Sequence, residues 1–208
     1  MINYDKKFIF IHIPKCGGSS IEYLFLKLFH PIFFEKLVSN IESKRQWPMA
    51  DIMTVEEEIK IFGKSLWNSG QHSSLNNFDQ GLQNNFFTFT FVRNPWSKVV
   101  SEFFYSKSAN GYNGTFKNYL RKPRCQPDHM TPQINFLNDN MDYIGRFENL
   151  QADFNVVCDK IGIPHQKLPQ KNKTNHKHYT EYYDDETRQI VAEKYRKDIE
   201  YFGYKFGE

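Results

Sequence analysis

The sequence predicts an α/β fold: a single three-layer domain, residues 1–208, with a mainly parallel central sheet. Two stretches and the length carry that prediction. Phe8-Ile-Phe-Ile-His-Ile13 is a run of six residues, five of them apolar, suited to a strand buried on both faces of a parallel sheet. It passes through Pro14-Lys-Cys-Gly-Gly18 into an apolar-periodic segment (Ile21, Leu24, Phe25, Leu28) that reads as a helix. Residues 86–92, Phe-Phe-Thr-Phe-Thr-Phe-Val, form a second β-prone run, which enters Arg93-Asn-Pro-Trp96 with Pro95 placed for the first turn of another helix. A chain of 208 residues is long enough for one well-buried core, and no linker divides it.

Composition narrows the functions. Aromatic residues make up 17% of the chain, with 20 Phe and 12 Tyr, so a Phe-rich core is expected, and any cleft has aromatic walls available for sugar rings or bases. A net charge of +3 argues against a nucleic-acid coat, which needs a dense basic face. Cys16, Cys125 and Cys158 lie far apart, with no C-x-x-C pair, which fits neither a disulfide framework nor a zinc site and points to a reducing compartment. Asp5, Lys6 and Lys7 precede an apolar run that stops at Pro14-Lys15, too short for a signal-peptide core or a membrane span. A soluble, cytoplasmic protein is the expectation.

Taken in order, the first helix opens at Ser19, runs to about Phe29 and is ended by His30-Pro31. Residues 31–53 mix apolar and basic side chains without a clear period. Thr54-Val-Glu-Glu-Glu fits a capped helix with an acidic first turn, stopped by Gly63. Beyond the second strand, Val99, Val100, Phe103 and Phe104 make an apolar helix face, with Ser97 and Ser101 on another side. Phe116–Arg121 and Thr131–Leu137 read as short helices, and Tyr143–Phe147 as a further strand. Glu148 begins a helix carrying Leu150, Phe154, Val157 and Ile161 inward and ended by Gly162. Residues 165–178 hold four lysines, no acid and several amides, which marks a loop. The last helix, Asp184 to Tyr201, turns Val191, Tyr195 and Ile199 or Phe202 toward the sheet.

The chemistry sits at two strand-to-helix turns. At the first, Gly17 and Gly18 let the backbone approach a bound group, Ser19 and Ser20 open the helix, and free N–H groups with the positive end of the helix dipole make an anion site. Lys15 adds a full charge; Cys16 reads as a small turn residue. A lone Gly-Gly turn serves packing as readily as binding. What favours an anion is the lysine and two serines in the same turn, together with a second motif. There, Arg93 at the strand end and Ser101 two turns into the helix are placed to grip another anion. His72, in a small-residue stretch, is by itself an ordinary loop histidine. No metal-ligand cluster is evident, and His12, His30, His129 and His165 read as core or surface residues.

These motifs resemble those of sulfotransferases. Pro14-Lys-Cys-Gly-Gly-Ser-Ser20 is similar to the family's 5′-phosphosulfate loop, and Val92-Arg-Asn-Pro-Trp96 with Ser101 to its 3′-phosphate motif. The likeness is to the carbohydrate type related to heparan sulfate 2-O-sulfotransferase, and it extends through Tyr143-Ile-Gly-Arg-Phe-Glu-Asn-Leu150 and residues 178–206. The resemblance implies a P-loop-kinase-like sulfotransferase fold and a donor, 3′-phosphoadenosine 5′-phosphosulfate (PAPS), with one anion for each grip. It implies that Lys15 contacts the bridging oxygen, that Gly17 to Ser20 cradle the 5′ end, and that Arg93 and Ser101 hold the 3′-phosphate. His72 resembles the catalytic base; a second family histidine two positions earlier is Gly70 here. Ser97 and Lys98 stand where relatives often carry Asp-Arg. Lys173 and Thr174, in the C-terminal loop, are implied donor contacts. The acceptor is then a hydroxyl, of a carbohydrate by this likeness, with Tyr112, Arg121, Lys122 and Arg124 as candidate contacts or a solvated charge run. Two other classes compete. A P-loop-type kinase lacks its G-K-[ST] ending here, and a nucleotide- or glycan-binding module would keep the grips without turnover.

Overall fold

The computed structural model describes residues 1–35, 71–173 and 175–208. The helix expected at Thr54–Gly63, most of the 31–53 stretch, Gly70 and Thr174 lie outside the described residues. Four strands, β1 (Ile2–Asn3), β2 (Phe8–Ile11), β3 (Phe87–Val92) and β4 (Tyr143–Arg146), form one sheet in the order β1-β2-β3-β4. β1 pairs antiparallel with β2; β2 with β3 and β3 with β4 are parallel, so Phe10 lies opposite Phe89 and Val92 opposite Arg146. This is the α/β class with a mainly parallel sheet that the apolar runs predict. The buried threonines of β3 are satisfied across the ladder: Thr90 Oγ1 donates to the Ile11 carbonyl at 2.7 Å.

Seven helices follow among the described residues: α1 (Gly18–Phe29), α2 (Gln80–Asn85), α3 (Pro95–Ala109), α4 (Phe116–Arg121), α5 (Leu150–Ile161), α6 (Asp185–Lys194) and α7 (Arg196–Phe202). α1 begins one residue before the expected Ser19, because Gly17 with φ 88° is its cap. Pro95 does open α3, and Asn94 caps it by accepting from the Trp96 N–H. Around the sheet, Phe8, Phe10, Phe25, Phe89, Phe91 and Phe154 are all essentially inaccessible, with the Phe10 and Phe89 rings 5.2 Å apart. Each such ring contributes about 1.5–3 kcal/mol of burial.

Five expectations need correction. Instead of one core there are two apolar clusters among the described residues, the second built by Trp96, Val99, Val100 and Phe103 of α3 with Tyr119 of α4, Val191 and Tyr195. α6 accordingly packs on α3 and α4 rather than on the sheet. The long final helix is broken at Tyr195, whose backbone (φ −106°, ψ 22°) leaves the helical region while its fully buried hydroxyl donates to the Met130 carbonyl at 3.0 Å. Thr131–Leu137 is a single 3₁₀ turn, Gln133–Phe136, whose first N–H groups are taken by Asp198 at 2.8 and 2.9 Å. Glu148 lies in a 3₁₀ turn before α5, with its carboxylate accepting from the Asn94 N–H and the Tyr204 hydroxyl.

Candidate active site

Because β2 and β3 are adjacent and parallel, their carboxyl ends lie side by side, and a crevice forms beyond them. The two turns expected to hold anions meet there directly. The Lys15 carbonyl accepts from Arg93 Nη1 at 3.1 Å, which fits a Lys15 backbone turned left-handed (φ 69°). Arg93 also donates through Nε to Ser97 Oγ at 3.0 Å, and its guanidinium lies 4.0 Å over the Phe147 ring. Both loops share one cavity of about 1180 Å³, lined by Lys15 and Gly17 to Ser20 on one side and by Arg93 and Ser101 on the other. The separate pockets expected from sequence are therefore a single space, larger than the roughly 300–1,000 Å³ of a typical ligand site.

Gln133, fully buried, binds the two turns together. Its Oε1 accepts from the Arg93 N–H at 2.8 Å and from the Cys16 thiol at 3.1 Å. Its Nε2 donates to the Arg93 carbonyl at 2.9 Å, and Asp198 supports it from behind. The Cys16 side chain is thus turned inward and does not line the cavity; burial pushes its thiol up to about 12, so only its backbone belongs to the loop. Lys15 lies 4.0 Å over the Tyr105 ring, and burial lowers its pKa to about 8, an effect Glu102 partly opposes.

Three histidines, each beside a carboxylate, form the adjoining wall. His72 Nδ1 is hydrogen-bonded to Asp128, and its ring meets His12 and His129 edge-on at 4.9 and 5.2 Å. Burial lowers the His72 pKa below its usual value of 6.5, with Asp128 opposing. For Asp128, burial acts to raise the pKa but the His72 contact outweighs it, so the carboxylate stays ionised. An ionised Asp128 only accepts; Nδ1 of neutral His72 therefore carries the proton, and Nε2 keeps its lone pair. His129 Nδ1 lies 2.9 Å from Glu102, and its carbonyl accepts from the buried Lys98 Nζ at 2.7 Å. His12 lies 3.0 Å from Glu22 through Nδ1, a contact whose angle falls short of a hydrogen bond, while Gln71 donates to the same carboxylate oxygen at 2.6 Å.

His12 is buried, as a core residue is expected to be, but lies just past β2, which ends at Ile11; it and His129 both line the cavity. One ligand atom each from His72, Asp128 and His129 lie within 4.8 Å of one another, a grouping the sequence does not suggest. A hydrogen bond already joins the first two and Glu102 occupies a nitrogen of the third, so the group reads as an acid–base set. His165 stands apart, exposed and paired with Asp159. From the C-terminal loop, Lys173 lines the cavity, the Lys171 N–H donates to Ser20 Oγ at 3.2 Å and Asn172 donates to Ser19 Oγ at 3.3 Å. Tyr112, Arg121, Lys122 and Arg124 do not line it, and Arg121 is paired with Glu186.

Sequence reasoning misses Glu22, Lys98, Glu102, Asp128 and Gln133. Lys98 and Glu102 are four apart on α3, a spacing that carries no sign of burial, yet both are fully buried. Glu22 had a signal: Leu26, four residues on, shares its face and is buried. Asp128 and Gln133 had none, since only tertiary folding brings residues 40 and 56 positions apart into contact with Arg93 and His72.

A mainly parallel α/β fold with basic loops at the strand ends and a histidine–carboxylate wall is an arrangement suited to a group-transfer enzyme. The sulfotransferase family matches residues 1–205, and the chain belongs to that family. Its chemistry is therefore the transfer of a sulfuryl group to an acceptor. A relative from Archaeoglobus fulgidus, described only as an uncharacterized protein, is 32% identical over 97 residues, covering 44% of this chain and 80% of its own length. No solved structure matches. Among the described residues no helix is long and apolar enough to cross a membrane.

Proposed function

We propose that this sulfotransferase, acting as one domain, moves the sulfuryl group of PAPS to a hydroxyl, with a carbohydrate as acceptor and His72 as general base. The observation that carries the reading is the shared cavity: the Lys15–Ser20 loop, Arg93 and Ser101 line one space, and His72 lines it too with a lone pair on Nε2. PAPS has an anionic group at each end of its ribose, one for the loop and one for Arg93 with Ser101. His72 Nε2 takes the hydroxyl proton as the acceptor oxygen forms its bond to sulfur. The bond from sulfur to the bridging oxygen breaks, and its electron pair leaves on 3′-phosphoadenosine 5′-phosphate (PAP), with Lys15 offsetting that charge. A carbohydrate acceptor is supported by amides and an aromatic ring on the wall, Asn110, Gln126 and Tyr105, groups that meet sugar hydroxyls and faces.

The test is calorimetry with PAP together with turnover of ³⁵S-labelled PAPS over a glycan panel. His72→Ala is expected to keep PAP binding and lose turnover, and Arg93→Ala to weaken PAP binding by about 10–100-fold. Absence of both binding and labelled product would overturn the reading. Binding without turnover on any acceptor would leave a nucleotide-binding module in its place.

A further inference from the structure

The His12 ring fills the space a side chain at position 18 would need. A methyl group added at Gly18 would come within 2.1 Å of His12 Cδ2 and 2.3 Å of its Nε2, so the Cδ2–Nε2 edge of the imidazole lies on the first residue of α1. The opposite edge faces Glu22, which is fully buried. Burial acts to raise the Glu22 pKa, but the adjacent His12, foremost among its partners, outweighs this and keeps the carboxylate ionised. Nδ1 of His12 is then the proton-bearing side toward Glu22, and Nε2 is the nitrogen directed to the loop.

A buried ionisable pair stabilises a fold poorly, since apolar residues of the same volume do at least as well. Here it interrupts the apolar run that ends β2, and a glycine makes room for it. We propose that His12 is a second catalytic residue, an imidazolium paired with Glu22 that carries a proton on each nitrogen, whose Nε2–H donates to the 5′-phosphosulfate of the donor on the Gly17–Ser20 loop. The inference rests on the donor reading above. As the sulfur–oxygen bond breaks, its electrons pass to the bridging oxygen of departing PAP, and His12 shares the growing charge with Lys15. The acceptor's proton still goes to His72, and His12 neither gains nor loses one over the cycle.

The experiment compares two amides. Asn places its N–H where His has Nδ1, keeping a donor toward Glu22 and removing Nε2; Gln places its N–H near Nε2. Single-turnover release of sulfate from ³⁵S-labelled PAPS, with water as acceptor, needs no identified glycan. His12→Asn is expected to lower that rate by about 10²–10³-fold while PAP affinity changes by less than about tenfold, and His12→Gln to recover part of the rate. The reverse order, with Asn as fast as the parent and Gln slower, would mean that His12 serves only Glu22 and would overturn the proposal. Should one variant fail to fold, Glu22→Gln provides the second reading: loss of rate with retained PAP binding supports the pair, and an unchanged rate counts against it. A parent protein that neither binds PAP nor releases sulfate would remove the donor reading itself, and this inference with it.

Discussion

Replacing Gly18 by alanine tests the site where backbone and chemistry are most tightly joined. The added Cβ would lie 2.1–2.5 Å from three atoms of the His12 ring. Ordinary contact begins near 3.4 Å, so the ring must retreat by about 1.3 Å or the loop must lift. The ring has little room, being 3% exposed, stacked on Phe10 at 6.0 Å and edge-on to His72 at 4.9 Å. Overpacking of this kind costs about 1–3 kcal/mol. For a chain of this size each kcal/mol lowers Tm by roughly 2–4 °C, so a fall of about 2–12 °C is expected in a thermal melt. Turnover should fall further than stability suggests, because the displaced rings line the cavity proposed for the donor. Gly17→Ala is the control: its strain comes from φ 88°, and its nearest neighbour is the flexible Leu150 side chain at 2.8 Å, so His12 stays in place. If Gly18→Ala melted within 1 °C of the parent, by the same scale, the close approach of His12 to the loop would be wrong.

Four further outcomes follow from the site. Since burial holds His72 below 6.5, the acid limb of kcat/KM should fall below that pH; Asp128→Asn, which removes the group raising it, should move the limb lower still and slow the reaction. Lys15 loses its proton as pH rises through about 8, so PAP binding by the free enzyme should weaken above that pH, measured by calorimetry across pH 6.5–9.5. Gln133→Leu strands the Arg93 N–H and carbonyl and should cost about 2–5 kcal/mol by denaturant unfolding, with weaker PAP binding; unchanged binding would show that the two turns keep their spacing without it. Native thiol labelling at pH 8 should leave Cys16 unmodified, because burial holds it as a thiol near 12, whereas rapid labelling would place it in the cavity.

Local signals made much of this molecule legible. An apolar run named β2 and a β-prone run of Phe and Thr named β3, the glycine turn and Pro95 named the starts of α1 and α3, and the fixed distance along the chain placed Lys15 and Arg93 past the strand ends and Ser20 and Ser101 on the helices that follow. Those features act within a few residues, where period and backbone preference decide. The break at Tyr195, the 3₁₀ turn at Gln133 and the burial of Lys98 and Glu102 escaped because each is set by a partner far away in the chain.

What the chain alone determined is its class and its two strand-to-helix turns with Lys15 and Arg93. Only the tertiary structure decided that the turns share one cavity, that Gln133 spans them, and that His12, His72 and His129 converge with Glu22, Asp128 and Glu102 behind them. The physical reason is range: a turn is specified by neighbouring dihedrals, whereas a proton acceptor is specified by which distant carboxylate the packed core holds against it.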